Sequence, residues 1–178
     1  MRHLAYTALF RDLATRHVDI RHAQDDGGTR FLRILISSDP IQRQLDLSEF
    51  HGSLRNRLKL AGGQACLVLE NYEVDYLDSD GDYIGRVHRG AFLVLKLTKA
   101  DDYDGRDRAV DDCERIGEEV MGAAIAHLRG LGLRITPADV LGECVGPVGD
   151  HFYGCRFSFT YMSHATVDMT FNPEKFST

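Results

Sequence analysis

The groups in this 178-residue chain that could do chemistry are carboxylates, histidines and thiols, and their spacing decides how far each can be taken. Asp78, Asp80 and Asp82 imitate the opening of a calcium loop. Gly81, however, precedes the third aspartate instead of following it, and Arg89 stands where a bidentate glutamate would close the shell. A hairpin turn is the simpler role for this acidic run. Asp101, Asp102 and Asp104 form a second acidic turn, from which Asp104 or Asp107 is expected to offer its carboxylate to the amino end of the helix that follows.

The eight histidines contain no H-E-x-x-H or H-x-H pair. His151 and His164 bracket one expected strand, and His88 lies on the approach to another. Cys66 or Cys155 beside one of them would resemble a thiol nucleophile with its base, yet a cysteine buried in a strand is ordinarily inert. Glu118 and Glu119 are neighbours on a helix and point in different directions. These patterns assign no catalytic, cofactor-binding or metal-binding residue, and the chain reads as something other than an enzyme. Tyrosines are the more informative set. Tyr72, Tyr76 and Tyr83 crowd the first acidic turn, and Tyr161 and Phe171 lie near the last strands. These five are the candidate subunit interface, since tyrosine suits a surface that is wet in one state and covered by a partner in another. Edge-strand packing within one chain would explain them equally well.

The elements that must position these groups follow from apolar periodicity. Ala91 to Leu97 holds five large apolar side chains with no alternation, which predicts a strand covered on both faces. Leu4, Ala5, Ala8, Leu9 and Leu13 recur at helical spacing. Residues 31–36 read as a strand, with 18–22 as a short hairpin arm beside it, after the turn cluster Asp25–Thr29 and before Asp39-Pro40. Leu47, Phe50, Leu54 and Leu58 mark a second helix, capped by Asp46 or Ser48 and ended by Gly62-Gly63. Residues 65–69 form an apolar strand antiparallel to the central one, and 72–77 an exposed arm.

The longest helix carries Val110, Cys113, Gly117, Val120, Met121, Ala124 and Leu128 on its inner stripe. Its small residues, Gly117 and Gly122 to Ala124, predict close approach of a neighbouring element. Residues 140–145 and 152–162 make a hairpin about Gly146–Asp150, with Cys155, Phe157, Phe159 and Tyr161 on one face. Val167, Met169 and Phe171 alternate as a further strand.

This order predicts one α+β domain over 1–178, an antiparallel or mixed sheet with about three helices packed on it and arms protruding near 70–88 and 163–178. No G-x-G-x-x-G stands at a strand-to-helix turn. The net charge of −6 argues against a surface that neutralises phosphates, so sequence-specific nucleic acid is not an expected partner; Arg55, Arg57 and Lys59 read as a solvated surface. No apolar run approaches the ~20 residues of a membrane span, and the amino terminus lacks the apolar segment of a secretion signal. Cys66, Cys113, Cys144 and Cys155 read as reduced buried thiols in a reducing compartment. Cys144 with Cys155, across a hairpin, is the one pairing worth weighing.

The strand over 65–70, the acidic turn, the strand over 89–96, the helix over 116–128 and the aromatic hairpin over 146–159 resemble small structural proteins of bacteriophage and prophage tails, with tail terminators and tail-completion proteins nearest. The resemblance covers most of the chain after Phe31 and rests on pattern. It implies a non-enzymatic subunit without cofactor, assembling with itself into a ring that caps the tail tube and meets tail tube or connector proteins. Such a subunit would be made in the host cytoplasm and carried in the virion tail or neck. Two alternatives accompany it: a head-to-tail connector subunit, and a small cytosolic enzyme or ligand-binding domain with Cys155, His151 and the acidic turn around one cleft.

Overall fold

The computed structural model describes residues 1–23, 29–36, 40–58, 60, 63–79, 83–99, 101–149 and 151–176. Its elements are α1 (His3–Arg16), β1 (Phe31–Arg33), α2 (Pro40–Arg57), β2 (Ala65–Leu69), β3 (Glu73–Ser79), β4 (Tyr83–Leu97), α3 (Tyr103–Gly130), β5 (Val140–Val148), β6 (Phe152–His164) and α4 (Thr166–Met169). They build the expected α+β fold around one mixed sheet of order β1-β2-β4-β6-β5, with β3 also paired to β4. Among the described strands β1 and β2 run parallel and the other pairs are antiparallel.

β4 is the axis of the sheet. Its second half pairs with β2 and its first half with β3 along the same edge, while β6 follows the other edge from Gly85 to Leu97. Alternation then sorts side chains onto two faces. Phe92 and Val94 join Leu67, Leu69, Phe157 and Phe159 beneath α1 and α3. Leu93 and Leu95 join Cys66, Val68 and Phe152 against Phe50, Leu54 and Leu58 from α2 and the residue just beyond it. The run at Ala91–Leu95 is therefore buried from both sides, as its lack of alternation predicts. Lys96 is half-buried and Leu97 exposed, so that burial stops short of the expected end.

α3 sits close to the sheet at one point. A Cβ on Gly117 would fall 2.0 Å from Cε2 of Phe157, so only a glycine lets the helix lie flat there. Gly122 faces open space and Ala123 is exposed, so the small-residue reading holds at Gly117 and at the fully buried Ala124 and not along the whole segment. The helix is capped by Asp102, whose carboxylate accepts the Gly105 backbone N–H at 2.8 Å; of the two expected carboxylates, Asp104 stands in the first turn beside the amino end and Asp107 lies further along.

Other boundaries also moved. The buried stripe of α1 is Tyr6, Leu9, Phe10, Leu13 and Ala14, and Leu4 is 81% exposed: the true stripe includes two aromatics, and the alanines at 5 and 8 are exposed. Residues 18–22 form a turn and irregular chain, not a strand, with Ile20 packed into the core. α2 starts at Pro40, a natural first helical residue because its missing N–H would be unpaired anyway, so Asp46 and Ser48 lie inside the helix and do not cap it. β5 continues through Gly146 and Pro147 by a register shift between Val145 and Val148. Residues 166–169 are a short helix with Val167 91% exposed, in place of an alternating strand. The segment near 70–88 extends the sheet edge and does not stand clear of it, because β6 backs β4 from Gly85 onward. Asp25–Gly28, Asp39, Lys59, Gly62 and Asp80–Asp82 lie outside the described residues, as do the side chains of Leu47, Arg55 and Asp78. Among the described residues no helix is long and apolar enough to cross a membrane.

Candidate functional site: the open end of the sheet

The proposed interface residues divide into two environments. Tyr161 is completely buried: its ring stacks on His88 at 4.4 Å and 5°, inside a box closed by Tyr72, Phe159 and Tyr6. It offers no surface to a partner, and its strand pattern, with Cys155, Phe157 and Phe159 on the same face, belongs to the core. Tyr72 is half-buried, with its ring edge on Tyr6 and His88. Tyr76, Tyr83 and Phe171 are exposed.

These three lie at one end of the molecule, where α4 docks on the start of β4. The Thr166 hydroxyl accepts the Ile84 N–H at 3.0 Å, Asp168 accepts from Arg86 at 3.0 Å, and the Arg86 guanidinium covers the Tyr76 ring at 5.5 Å. Tyr83 meets His164 edge-on. Leu77 and Val167 add apolar surface, and Met169 and a Phe171–Phe176 stack follow in the chain. No sequence period links 76–83 to 166–176, so pairing through Ile84 and Thr166 was invisible before the fold.

Beneath this end is a cluster of buried polar groups. His88 approaches the Ser163 hydroxyl at 3.1 Å through Nε2, while its Nδ1 and the Tyr161 hydroxyl have no protein partner. Burial is the main reason the imidazole is lowered from 6.5 to about 4, with nearby positive charge from the Met1 amino group and Arg86 adding to it. Burial likewise raises the phenols of Tyr6 and Tyr161. Neutral groups in this box cement α1 to the sheet; none is poised as a base near neutral pH.

The other chemistry-bearing residues are dispersed. His151 lines a small cavity with His51, Leu54, Leu58 and Phe152 on the α2 face. Cys155 lies on the opposite face, its thiol directed at the Val110 carbonyl at 3.6 Å. His164 is at the far end of β6 from His151, and His88 is buried on β4 opposite Tyr161 of β6. No cleft unites Cys155 with His151. Burial raises the Cys66 thiol to about 12 and pushes Cys113 higher still, which leaves both as inert core groups.

One trio with ligand-type atoms was not singled out by spacing: His17, Asp19 and Glu119, whose atoms lie within 4.8 Å of one another. Arg115 bridges the two carboxylates at 2.8 and 2.9 Å and holds both below their ordinary range. His17 Nδ1 accepts the Asp19 backbone N–H at 3.2 Å, so Nε2 carries the proton it gives to Glu119 at 2.9 Å. A metal at Nε2 would have to displace both that proton and the guanidinium. The group is an ion-pair clasp between α1 and α3.

Across the sheet, Arg156 grips Glu70 with two bonds of 2.7 and 2.9 Å and reaches Glu143 at 3.2 Å. This fork ties the β2–β3 connection to β6 and β5. No protein-family model matches the chain, and no curated protein matches its sequence.

Proposed function

We propose that the chain is a non-enzymatic structural subunit that assembles with copies of itself, as a tail terminator or completion protein forming a ring at the end of a phage tail tube. The observation that carries this reading is the concentration of Tyr76, Leu77, Tyr83, Val167 and Phe171 as exposed large apolar side chains at the β3–β4–α4 end. Large apolar side chains left in water are unfavourable on an isolated globule and are the ordinary material of a subunit contact; Tyr76 and Leu77, adjacent in β3, offer them on both faces of the sheet. Two further features favour it. Among the described residues no strand covers the outer edge of β5, which could add backbone hydrogen bonds to a neighbour. Cys155 and His151, the pair that the enzyme alternative would draw on, lie on opposite sides of the sheet.

In this reading the partners are other copies of the chain and the tail tube or connector proteins, with assembly in the host cytoplasm and residence in the virion. A head-to-tail connector subunit would use the same surfaces. Size-exclusion chromatography with light scattering on the intact chain, and imaging of purified particles, test it. A defined oligomer that dissociates in a Tyr76→Ser/Phe171→Ser variant with unchanged circular dichroism supports it. A wild-type chain that stays monomeric at high concentration and is missing from particles overturns it.

A further inference from the structure

Among the described residues β5 is the last strand of the sheet and β6 is its one strand neighbour. Within that pair Cys144 stands directly opposite Cys155. Directly opposed antiparallel residues have Cα atoms about 4.5 or 5.5 Å apart, and both spacings fall inside the range that disulfides span. Cys144 is exposed and Cys155 is 2% exposed, so one thiol meets solvent and the other waits behind it. The Cys155 thiol points at the Val110 carbonyl at 3.6 Å, with Cys144 as its direct neighbour across the strand pair. The register shift that begins after Val145 gives β5 slack one residue from the thiol.

We propose that Cys144 and Cys155 are a reversible dithiol–disulfide couple, closed by small-molecule disulfides of the glutathione class, which fastens the free edge strand β5 to the sheet. The Cys144 thiolate attacks one sulfur of the disulfide RSSR, forming Cys144–S–S–R and releasing RS⁻, which takes a proton from water. Cys155 then gives its proton to solvent, and its thiolate attacks the Cys144 sulfur, expelling the second RS⁻. Two protein thiols are oxidised by two electrons, and RSSR is reduced to two RSH.

Burial, followed by the proximity of Cys144, raises the Cys155 thiol to about 12. The second step is therefore the slow one, and its rate climbs about tenfold per pH unit through the neutral and mildly alkaline range. The competing thiol is Cys113 of α3, whose sulfur would lie 3.1 Å from a Cβ on Gly154.

The test uses the intact folded chain with oxidised glutathione, acid-quenched at intervals, alkylated and read by mass spectrometry before and after digestion. The expected result is a transient glutathione adduct on Cys144, then a species two hydrogens lighter than the reduced chain with Cys144 and Cys155 in one linked peptide, reversed by dithiothreitol. Cys144→Ala abolishes uptake, and Cys155→Ala stops at the adduct. Hydrogen exchange at Val140–Val145 slows on oxidation. A wild-type adduct that persists at about pH 9, a Cys113–Cys155 link, a dimer bridged through Cys144, or unchanged exchange in β5 after oxidation would each overturn the proposal.

Discussion

The two halves of β4 share one backbone and one partner strand, β6, yet they live in different surroundings. From Ala91 to Leu95 every side chain is buried, alternating between the α1/α3 layer and the α2 layer. From Tyr83 to Gly90 only one face is roofed, by α1 and its aromatic box; on the other, Arg89 pairs with Asp75 in water and no described helix packs there. The lesson is that a strand's role changes along its length with what lies above and below it. The first half carries the surface proposed for contact, and the second carries the stability.

The sharpest way to break this comparison is at its buried end. Phe92→Ala should cost about 3–5 kcal/mol in urea unfolding, because the ring touches Phe10, Phe157 and Phe159 and leaves a cavity. A cost below about 1 kcal/mol would place the core elsewhere.

His88 gives the next largest effect, through pH. Its folded value, about 4, lies below the ordinary 6.5, so above 6.5 both folded and unfolded chains hold it neutral and its contribution is complete. Between 6.5 and about 4 the unfolded chain binds a proton that the native chain refuses, and stability falls as pH falls, by about 3 kcal/mol in all. His88→Phe should flatten that part of the pH profile. Identical slopes in the two proteins would remove the buried neutral imidazole from the account.

A matched pair isolates the effect of the second layer. Val94 is 0% exposed beneath α1 and α3, while Val87 is 8% exposed on the face where no described helix packs. Val94→Ala should cost about 2 kcal/mol and Val87→Ala less than about 1. Equal losses would mean that strand neighbours alone hold Val87 as firmly as the helix layer holds Val94. Smallest in stability is the distal surface: Phe171→Ser should change unfolding free energy by no more than about 0.5 kcal/mol, while altering the light-scattering mass if that surface joins copies.

How much of this was legible in the sequence depends on the range of the interaction involved. The double coverage of 91–95, the inner stripe of α3 and the buried face of β6 are local periodicities, and they read directly from residue order. In α1 Leu9 and Leu13 were read correctly, but alanine counts as apolar in any pattern, so Ala5 and Ala8 stood in for Tyr6 and Phe10, which are what the sheet receives. Tyr161 looked like an interface residue because nothing local reveals that His88, seventy-three residues earlier, stacks on it. Asp102 was passed over as a cap because three neighbouring aspartates offer the same chemistry, and only the backbone at Gly105 selects among them. The exposed end itself is assembled from segments some ninety residues apart, joined by single bonds such as Ile84 to Thr166.

The β4–β6 ladder also sets the order in which the molecule can be completed. The whole of α3 and β5 lies between the two strands, so on the ribosome β4 emerges long before β6 can close its second side. Until then Ala91–Leu95 presents a greasy strand with bare amides and carbonyls, the template on which nascent chains cross-pair. A stall or truncation anywhere between α3 and β6 yields an adhesive fragment, and safe passage through translation turns on how quickly the final sheet strand arrives.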